Sequence, residues 1–115
     1  MAGLDGQQTL VRIFIGESDR HGGTTLYQAL VEMLRKEHIS GCTVLRGIEG
    51  FGAKSVLHTA SILRLSQDLP IVIEAVDTPE NIDRVLPAVE ELVGDGLITM
   101  ENVRVIRYGV KDQTA

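Results

Sequence analysis

The chain has 115 residues, of which 43% are hydrophobic and 23% charged, a size and composition typical of one globular domain. Its formal net charge of −5 and aromatic content of 3% exclude nucleic acid as an expected partner, because a negative protein repels phosphate and base stacking needs aromatic side chains. One cysteine, no signal-peptide pattern and no apolar run that could span a bilayer predict a cytoplasmic protein without direct membrane insertion.

The first elements along the chain are a predicted strand and a predicted helix. Thr9–Gly16 is short, β-branched and apolar, which is typical of a strand, and we expect it to be central in its sheet. Thr24 and Thr25 can cap the helix that follows. Apolar residues then recur at helical spacing until Ser40 and Gly41, where we expect the helix to stop.

A hairpin is predicted next. Cys42–Ile48 has the pattern of a second strand, and it runs into the glycine-rich segment 47–52. A polar connector extends to about Ala60, and residues 62–65 are candidates to extend the hairpin. Pro70–Asp77 gives the clearest strand signal, because it is short, rich in β-branched residues and begins with proline.

The remaining elements are a second helix and a last strand. Thr78–Glu80 supplies an N-cap, a first-turn proline and a first-turn carboxylate, so a helix is predicted to begin there. Apolar residues repeat at i, i+3, i+4 and i+7 until Gly94, and we expect Pro87 to bend this helix. Leu97–Tyr108 is the predicted last strand.

The order β-α-β-β-α-β predicts an α+β domain of the ferredoxin-like type, with a four-stranded antiparallel sheet and two helices on one face. We expect this single domain to occupy residues 8–110, with flexible ends at 1–7 and 111–115. Consecutive apolar side chains, as in Ile13–Ile15 and Ile71–Ile73, indicate that both faces of the sheet are buried. Because the helices cover one face, we expect further copies of the chain to cover the other.

A charged loop joins the first strand to the first helix and carries Glu17, Asp19, Arg20 and His21. Loops at this position often bind ligands, and two carboxylates with an imidazole can hold a divalent cation. The spacing of these residues matches no standard metal motif. We therefore expect a solvated loop that is a candidate ligand site, and no metal.

The segment between Arg46 and Lys54 contains three glycines. Backbone amides beside glycine can approach a phosphate closely, and the two flanking basic residues can add charge. The segment lacks both the P-loop pattern and the dinucleotide-binding glycine pattern, so an ordinary hairpin turn is the competing interpretation. The turn at 94–96 has a similar ambiguity, as a ligand site or as a helix C-cap.

Catalytic residues are not expected. His38 lies at the end of a helix, and His58 has no Cys or carboxylate at ligand spacing. Cys42 begins an apolar strand, where nothing nearby would lower the pKa of its thiol. The patterns G-x-S-x-G, H-E-x-x-H and C-x-x-C are absent.

Three runs carry a resemblance to a known family: GESDRHGGTTLYQAL, GCTVLRGIEGFGAKSVLH and DLPIVIEAVDTPENI. In this order and spacing, from Leu10 to Gly109, the chain resembles the PII-like proteins, and most closely the uncharacterised bacterial and archaeal family called domain of unknown function 190. The resemblance implies a ferredoxin-like fold and a trimer. It also implies that a shortened T-loop, the mobile effector arm of PII signalling proteins, follows Gly52.

PII proteins hold adenine nucleotides between subunits. They use a G-F-G segment at the base of the T-loop, a G-D-G turn before the last strand and basic residues near the end of that strand. The resemblance implies that the matching residues here bind a ligand, and Arg46 and Lys54 are additional basic candidates. The matching residues are Gly50, Phe51, Gly52, Gly94, Asp95, Gly96 and Arg107.

Three positions depart from the PII pattern. Ala53, Leu97 and Val105 stand where PII proteins have basic residues. Each charge-assisted contact to phosphate contributes about 1.5–3 kcal/mol, so tight ATP binding is not expected unless another basic residue substitutes. AMP, ADP or another anion remains the candidate effector, and no cofactor is expected.

The resulting hypothesis is a regulatory protein and not an enzyme. It binds a small ligand at the interface of a homo-trimer and signals to a partner protein through the loop at 51–60. Members of the family are often encoded beside membrane proteins, so the resemblance allows a membrane transporter as partner, and an enzyme is the other candidate.

Two alternatives stay open. The first is a metal-binding trimer similar to the divalent-ion tolerance proteins, in which the ligands would be Glu17, Asp19 and His21. The second is a small hydrolase similar to the acylphosphatases, which need an arginine in a phosphate loop and an asparagine to place water. Arg20 and either Asn81 or Asn102 would then have these roles.

Overall fold

The computed structural model describes residues 4–52 and 68–109. Their order of elements confirms the predicted β-α-β-β-α-β arrangement and adds a short two-stranded ribbon after the first strand. The elements are β1 (Gly6–Gly16), β2 (Arg20–His21), β3 (Thr24–Thr25), α1 (Leu26–Lys36), β4 (Cys42–Arg46), β5 (Pro70–Asp77), α2 (Pro79–Val93) and β6 (Leu97–Val105).

The four longer strands form one antiparallel sheet in the order β4-β5-β1-β6. This is the ferredoxin-like topology that the sequence predicts, with β1 in a central position. In the register, Phe14 lies opposite Val72 on one side and Leu97 on the other. Residues directly opposite one another share a face of the sheet, so this pairing decides which side chains meet.

Helix α1 begins where the sequence predicts and ends earlier. Thr25 is the N-cap, and its hydroxyl accepts a hydrogen bond from the amide of Gln28 at 3.3 Å. The helix ends at Lys36, before the predicted stop at Ser40 and Gly41. The reason is His38, whose φ of 64° is left-handed and closes the last turn.

Helix α2 has the predicted bounds. Thr78 is its N-cap, with the hydroxyl accepting from the amide of Asn81 at 3.1 Å, and Pro79 occupies the first turn. The helix continues through Pro87 and ends before Gly94, which has a φ of 60°. The bend at Pro87 stays a prediction. Neither α1 nor α2, the two helices of the described residues, has the length and apolar character needed to cross a membrane.

Three strand ends differ from the predictions. Strand β1 begins at Gly6, three residues before the predicted Thr9, because its first residues pair with the end of β6. Strand β4 ends at Arg46: Gly47 still donates its amide to the carbonyl of Pro70 at 2.7 Å, but Pro70 has no N–H to donate in return, so the ladder stops there. Strand β6 ends at Val105 and not at Tyr108. The proposed extension of the hairpin at 62–65 lies outside the described residues.

The core lies between the sheet and the two helices. Isoleucines on one face of β1 and β5 are buried against the apolar stripes of α1 and α2. The fully buried side chains include Ile13, Ile73, Leu30, Leu34, Ile82 and Val89. Burial of such side chains stabilises the fold by roughly 1.5–3 kcal/mol each.

On the other face of the sheet, here called the open face, no helix of the described residues packs. Four apolar side chains form a row across it, here called the apolar row: Leu45, Val72, Phe14 and Leu97. Leu45 is 48% exposed and Leu97 55%. The consecutive apolar residues of β1 and β5 therefore point alternately into the core and onto a face that the elements of residues 4–52 and 68–109 leave uncovered.

A charged triad interrupts the open face beside the apolar row. The guanidinium of Arg12 donates from Nε to Glu74 at 2.8 Å and from Nη1 to Glu101 at 2.5 Å. These three residues, here called the Arg12 triad, come from β1, β5 and β6. Arg12 is thus bonded on both sides within its own sheet.

Candidate functional site

The antiparallel sheet brings most of the predicted site residues to one end. Strands β1 and β4 finish there, and β5 and β6 begin there. This end, here called the loop end, holds the charged loop after β1, the glycine-rich segment after β4 and the turn before β6. The structure therefore places three separate predicted segments at a common edge.

The charged loop is held by its own hydrogen bonds. The carboxylate of Asp19 accepts from the amide of Gly16 at 2.9 Å, and the carboxylate of Asp68 accepts from the amide of Ser18 at 3.1 Å. Glu17 forms an ion pair with Arg46. Glu17 and Asp19 thus stabilise the loop, and Arg46 already has a carboxylate partner before any ligand binds.

Arg20 and His21 lie in the ribbon that sequence reasoning missed. They form β2, which pairs with β3 through Arg20 opposite Thr25 and His21 opposite Thr24. Both side chains of β2 are exposed. Within residues 4–52 and 68–109, no three His, Cys, Asp or Glu side chains are grouped so that they could hold a metal ion.

The glycine-rich segment folds back onto Pro70. A Cβ at Gly47 would lie 2.7 Å from Cγ of Pro70, and one at Gly50 would lie 3.1 Å from it, whereas Gly52 faces open space. Close packing thus explains the first two glycines without a ligand. Two large apolar side chains of the same segment point outward: Ile48 is 88% exposed and Phe51 is 74% exposed.

The turn before β6 combines a helix cap with a close approach. Gly94 ends α2 and donates its amide to the carbonyl of Glu90 at 3.2 Å. A Cβ at Gly96 would lie 2.9 Å from the carbonyl oxygen of Phe14. Asp95 between them is exposed. The C-cap interpretation is therefore correct for Gly94.

Charge at the loop end does not favour a polyanion. The glycine-rich segment and the turn at 94–96 are separated by three strand spacings, about 14 Å. Carboxylates outnumber guanidiniums among the described residues between and beside them: Glu17, Asp19, Glu49, Asp68 and Asp95 against Arg20 and Arg46. Lys54 lies outside the described residues.

Arg107 lies at the opposite end of the sheet, together with a cavity of about 460 Å³. The chain after β6 crosses there, and the hydroxyl of Tyr108 donates to the carbonyl of Ser40. Most of the lining is apolar, Arg107 contributes a guanidinium, and Glu74, which is paired with Arg12, contributes a carboxylate. The lining includes Leu10, Cys42, Val76, Val105, Arg107 and Tyr108. Cavities of this size and character are typical of sites for small ligands.

Cys42 lines this cavity and is partly buried. Burial raises the pKa of its thiol, which disfavours the reactive thiolate form.

Asp77 is a buried carboxylate to which the sequence analysis assigns no role. It is only 2% exposed and accepts hydrogen bonds from the amides of Ser40 and Thr78 and from the side chain of Asn81, at 2.7–2.8 Å. Burial alone raises the pKa of Asp77, but these hydrogen bonds outweigh it and lower the pKa below its ordinary value. Through these hydrogen bonds, Asp77 connects the segment after α1 to the start of α2.

This network also engages Asn81, one of the two asparagines considered for a hydrolase. Asn102, the other, lies in β6 opposite Thr9. The two asparagines therefore lie at the opposite end of the sheet from Arg20. The arrangement does not bring together the groups that an acylphosphatase-like site needs.

Comparison with known proteins places the chain in a family. Residues 8–105 match the family model DUF190, described as "Uncharacterized ACR". A UPF0166 protein of Methanocaldococcus jannaschii is 39% identical over 99 residues, which cover 85% of this chain and 91% of that relative. A UPF0166 protein of Aquifex aeolicus is 36% identical over 102 residues, which cover 87% and 94%.

One solved structure shows the same fold. It is the crystal structure of a protein from Thermus thermophilus that is described as a candidate PII-like signalling protein. The TM-score is 0.58 at 22% identity, with 92% of this chain and 94% of that chain covered. At this identity the likeness establishes the fold. The match over residues 8–105 and the fold together identify the chain as a member of the DUF190 family with a ferredoxin-like fold.

Proposed function

We propose that the protein is a PII-like regulator that binds a small ligand between copies of the chain and signals to a partner protein through the loop at 51–60. One observation carries this proposal. A single chain has the glycine segments of the candidate site at one end of the sheet, and Arg107 with its cavity at the other.

The separation of these two parts argues for a site shared by two copies. Strand β5 has 8 residues, so the ends of the sheet are about 25 Å apart. No small ligand spans that distance within one chain. A second copy that presents its Arg107 end to the loop end of the first would supply the missing guanidinium.

The open face supports association of copies. The apolar row leaves Leu45 and Leu97 about half exposed, and an exposed apolar surface of this kind usually marks an interface. We propose a homo-trimer, as the resemblance to PII proteins implies. The proposal keeps a cytoplasmic location for the assembly.

The ligand that fits best is an anion of low charge with an apolar or aromatic part. The cavity is mainly apolar and Arg107 can contact one anionic group. The loop end is rich in carboxylates, which repel a triphosphate. AMP or ADP is therefore preferred over ATP, and another small anion is the competing choice.

The partner would be a membrane transporter or an enzyme. Binding of a ligand at the base of a loop can shift the population of loop conformations and so change the fit to a partner. Phe51 is the first residue of the loop at 51–60, and it is 74% exposed. This exposure supports contact with another protein, and no catalytic step is part of the proposal.

The test is a thermal-shift titration of the purified protein with AMP, ADP and ATP. A ligand at a hundred times its Kd stabilises a protein by about 2.7 kcal/mol, which raises Tm by several degrees. We expect this rise with AMP or ADP and its loss in Arg107→Ala. Arg104→Ala is the matched control, because Arg104 is an exposed arginine at the same end of β6 outside the cavity lining. No rise with any nucleotide, or an equal rise in Arg107→Ala, would contradict the nucleotide assignment.

A further inference from the structure

One copy of the chain has two apolar features that lie at opposite ends of its sheet and do not contact each other. The first is the exposed segment Ile48–Phe51, here called the loop tip. The second is the cavity beside Arg107 at the opposite end of the sheet. Ile48, at 88% exposed, and Phe51, at 74%, lie three residues apart in one segment, and apolar side chains that are grouped at a surface often mark an interaction site.

The loop tip and the cavity are complementary in character. Ile48 and Phe51 are of a size that an apolar cavity of about 460 Å³ can accept. Glu49 lies between them and is exposed, and the cavity contributes the guanidinium of Arg107. An apolar, acidic and aromatic segment is thus complementary to a mainly apolar cavity whose carboxylate, Glu74, is already paired with Arg12 and whose guanidinium, Arg107, can pair with Glu49.

The contact cannot form within one chain, because the loop tip follows β4 while the cavity lies at the start of β4 and the end of β6. A patch and a complementary cavity at different places on one molecule give a heterologous contact. Such contacts close into a ring when the rotation between copies allows it. This geometry favours a cyclic assembly over a two-fold dimer.

We propose that, without ligand, the loop tip of one copy occupies the cavity of the next, with Glu49 paired to the neighbour's Arg107. This inference rests on the proposed function, because it assigns the regulation of the same site. A ligand that binds between the glycine segments and Arg107 displaces the side chains of Ile48, Glu49 and Phe51 from the cavity while the backbone of the segment stays at the site. Displacement then frees Ile48 and Phe51 for a partner protein, which couples ligand binding to signalling.

The test uses the single cysteine of the chain, Cys42, which lines the cavity. In Ile48→Cys, oxidation with copper-phenanthroline should form a disulfide between the new thiol and Cys42 of the next copy, since bridging needs the two Cα atoms within about 7 Å. We expect linked dimers and larger species on a non-reducing gel. ADP in excess should reduce their yield.

Two controls define the result. Ile48→Cys combined with Cys42→Ala should not cross-link, and neither should Lys36→Cys, which places a thiol at an exposed position on α1. Cross-linking that persists without Cys42, or that is equal in Lys36→Cys, would overturn the inference. Absence of cross-linking in Ile48→Cys would also overturn it, unless the charge test below gives its expected result.

The charge test does not depend on the reactivity of Cys42. Glu49→Arg and Arg107→Glu should each weaken association roughly tenfold or more in sedimentation velocity, and the double variant should restore it. Equal association in all four proteins contradicts the pairing. If nucleotide still raises Tm while both tests fail, the inference is wrong and the proposed function stands; if no ligand raises Tm either, both fail.

Discussion

Asp77 is a single carboxylate on which two helices depend. Its oxygens accept hydrogen bonds from the backbone amide of Ser40, after α1, and from that of Thr78, before α2. The side-chain amide of Asn81 donates a third hydrogen bond. Each donor would be buried without a partner if the carboxylate were removed. One side chain therefore fixes the relation between the two helix ends.

Asp77→Asn should lower the free energy of unfolding by about 1–3 kcal/mol at neutral pH, because an amide cannot accept all three hydrogen bonds. The pKa of Asp77 in the folded protein is below its ordinary value of 3.8. The carboxylate therefore contributes stability above that pH, and the contribution is lost as the pH falls below it. Urea unfolding at pH 7 and at pH 3 should show a larger difference between variant and wild type at pH 7.

Asp83→Asn is the matched control for this experiment. Asp83 is an exposed carboxylate on α2, and its replacement should change stability by less than about 0.5 kcal/mol at either pH. A variant of Asp77 that loses no more stability than this control would show that the buried network contributes little.

The turn between α2 and β6 depends on a glycine at 96. A Cβ there would meet the carbonyl oxygen of Phe14 at 2.9 Å and Cγ1 of Val93 at 2.7 Å. We expect Gly96→Ala to destabilise the fold by about 1–3 kcal/mol, because β1 and α2 cannot both move away. Thermal unfolding compared with Gly23→Ala checks this, since a Cβ at Gly23 would meet nothing within 4 Å. Equal melting temperatures would mean that the turn adapts at little cost.

Elements with strong local signals could be predicted from the sequence. The bounds of β5 and α2 follow from Pro70 and from the cap at Thr78–Glu80, and the structure has both. The ends of β1, β4 and β6 could not be predicted, because partner strands and the contact with Pro70 decide them. The ribbon β2–β3 has 2 residues in each strand, too few to give a periodic signal.

The candidate site could be predicted only in part for the same reason. Topology brings the glycine segments and the charged loop to one end, and the sequence motifs anticipate these residues. The ion pair of Glu17 with Arg46 depends on a contact between distant segments. The cavity beside Arg107 depends on the path of the chain toward Ser40. Neither the ion pair nor the cavity can be recognised from a local pattern in the sequence.

At the scale of the whole molecule, the proposed association of copies depends on the open face. Val72 lies in the middle of the apolar row, between Leu45 and Phe14. Val72→Lys should weaken association of copies by more than roughly tenfold, because a buried charge without a partner is costly. The fold should persist, since a lysine in the single chain can extend its amine into water.

Sedimentation velocity with circular dichroism checks this prediction. Gln28→Lys adds the same charge on the exposed surface of α1 and should leave association unchanged. If Val72→Lys assembles like the wild type, the open face is not the interface between copies.

The Arg12 triad gives the open face a selectivity that apolar residues alone cannot provide. A purely apolar sheet face would adhere to lipid, to unfolded chains and to unrelated proteins with similar affinity. Burying Arg12, Glu74 and Glu101 against such surfaces would remove water from three charged groups without replacing its hydrogen bonds. A protein surface that covers the open face must therefore place polar atoms against the Arg12 triad. We therefore expect the same three residues to restrict which surfaces can cover the sheet and to disfavour unspecific contacts of the isolated chain.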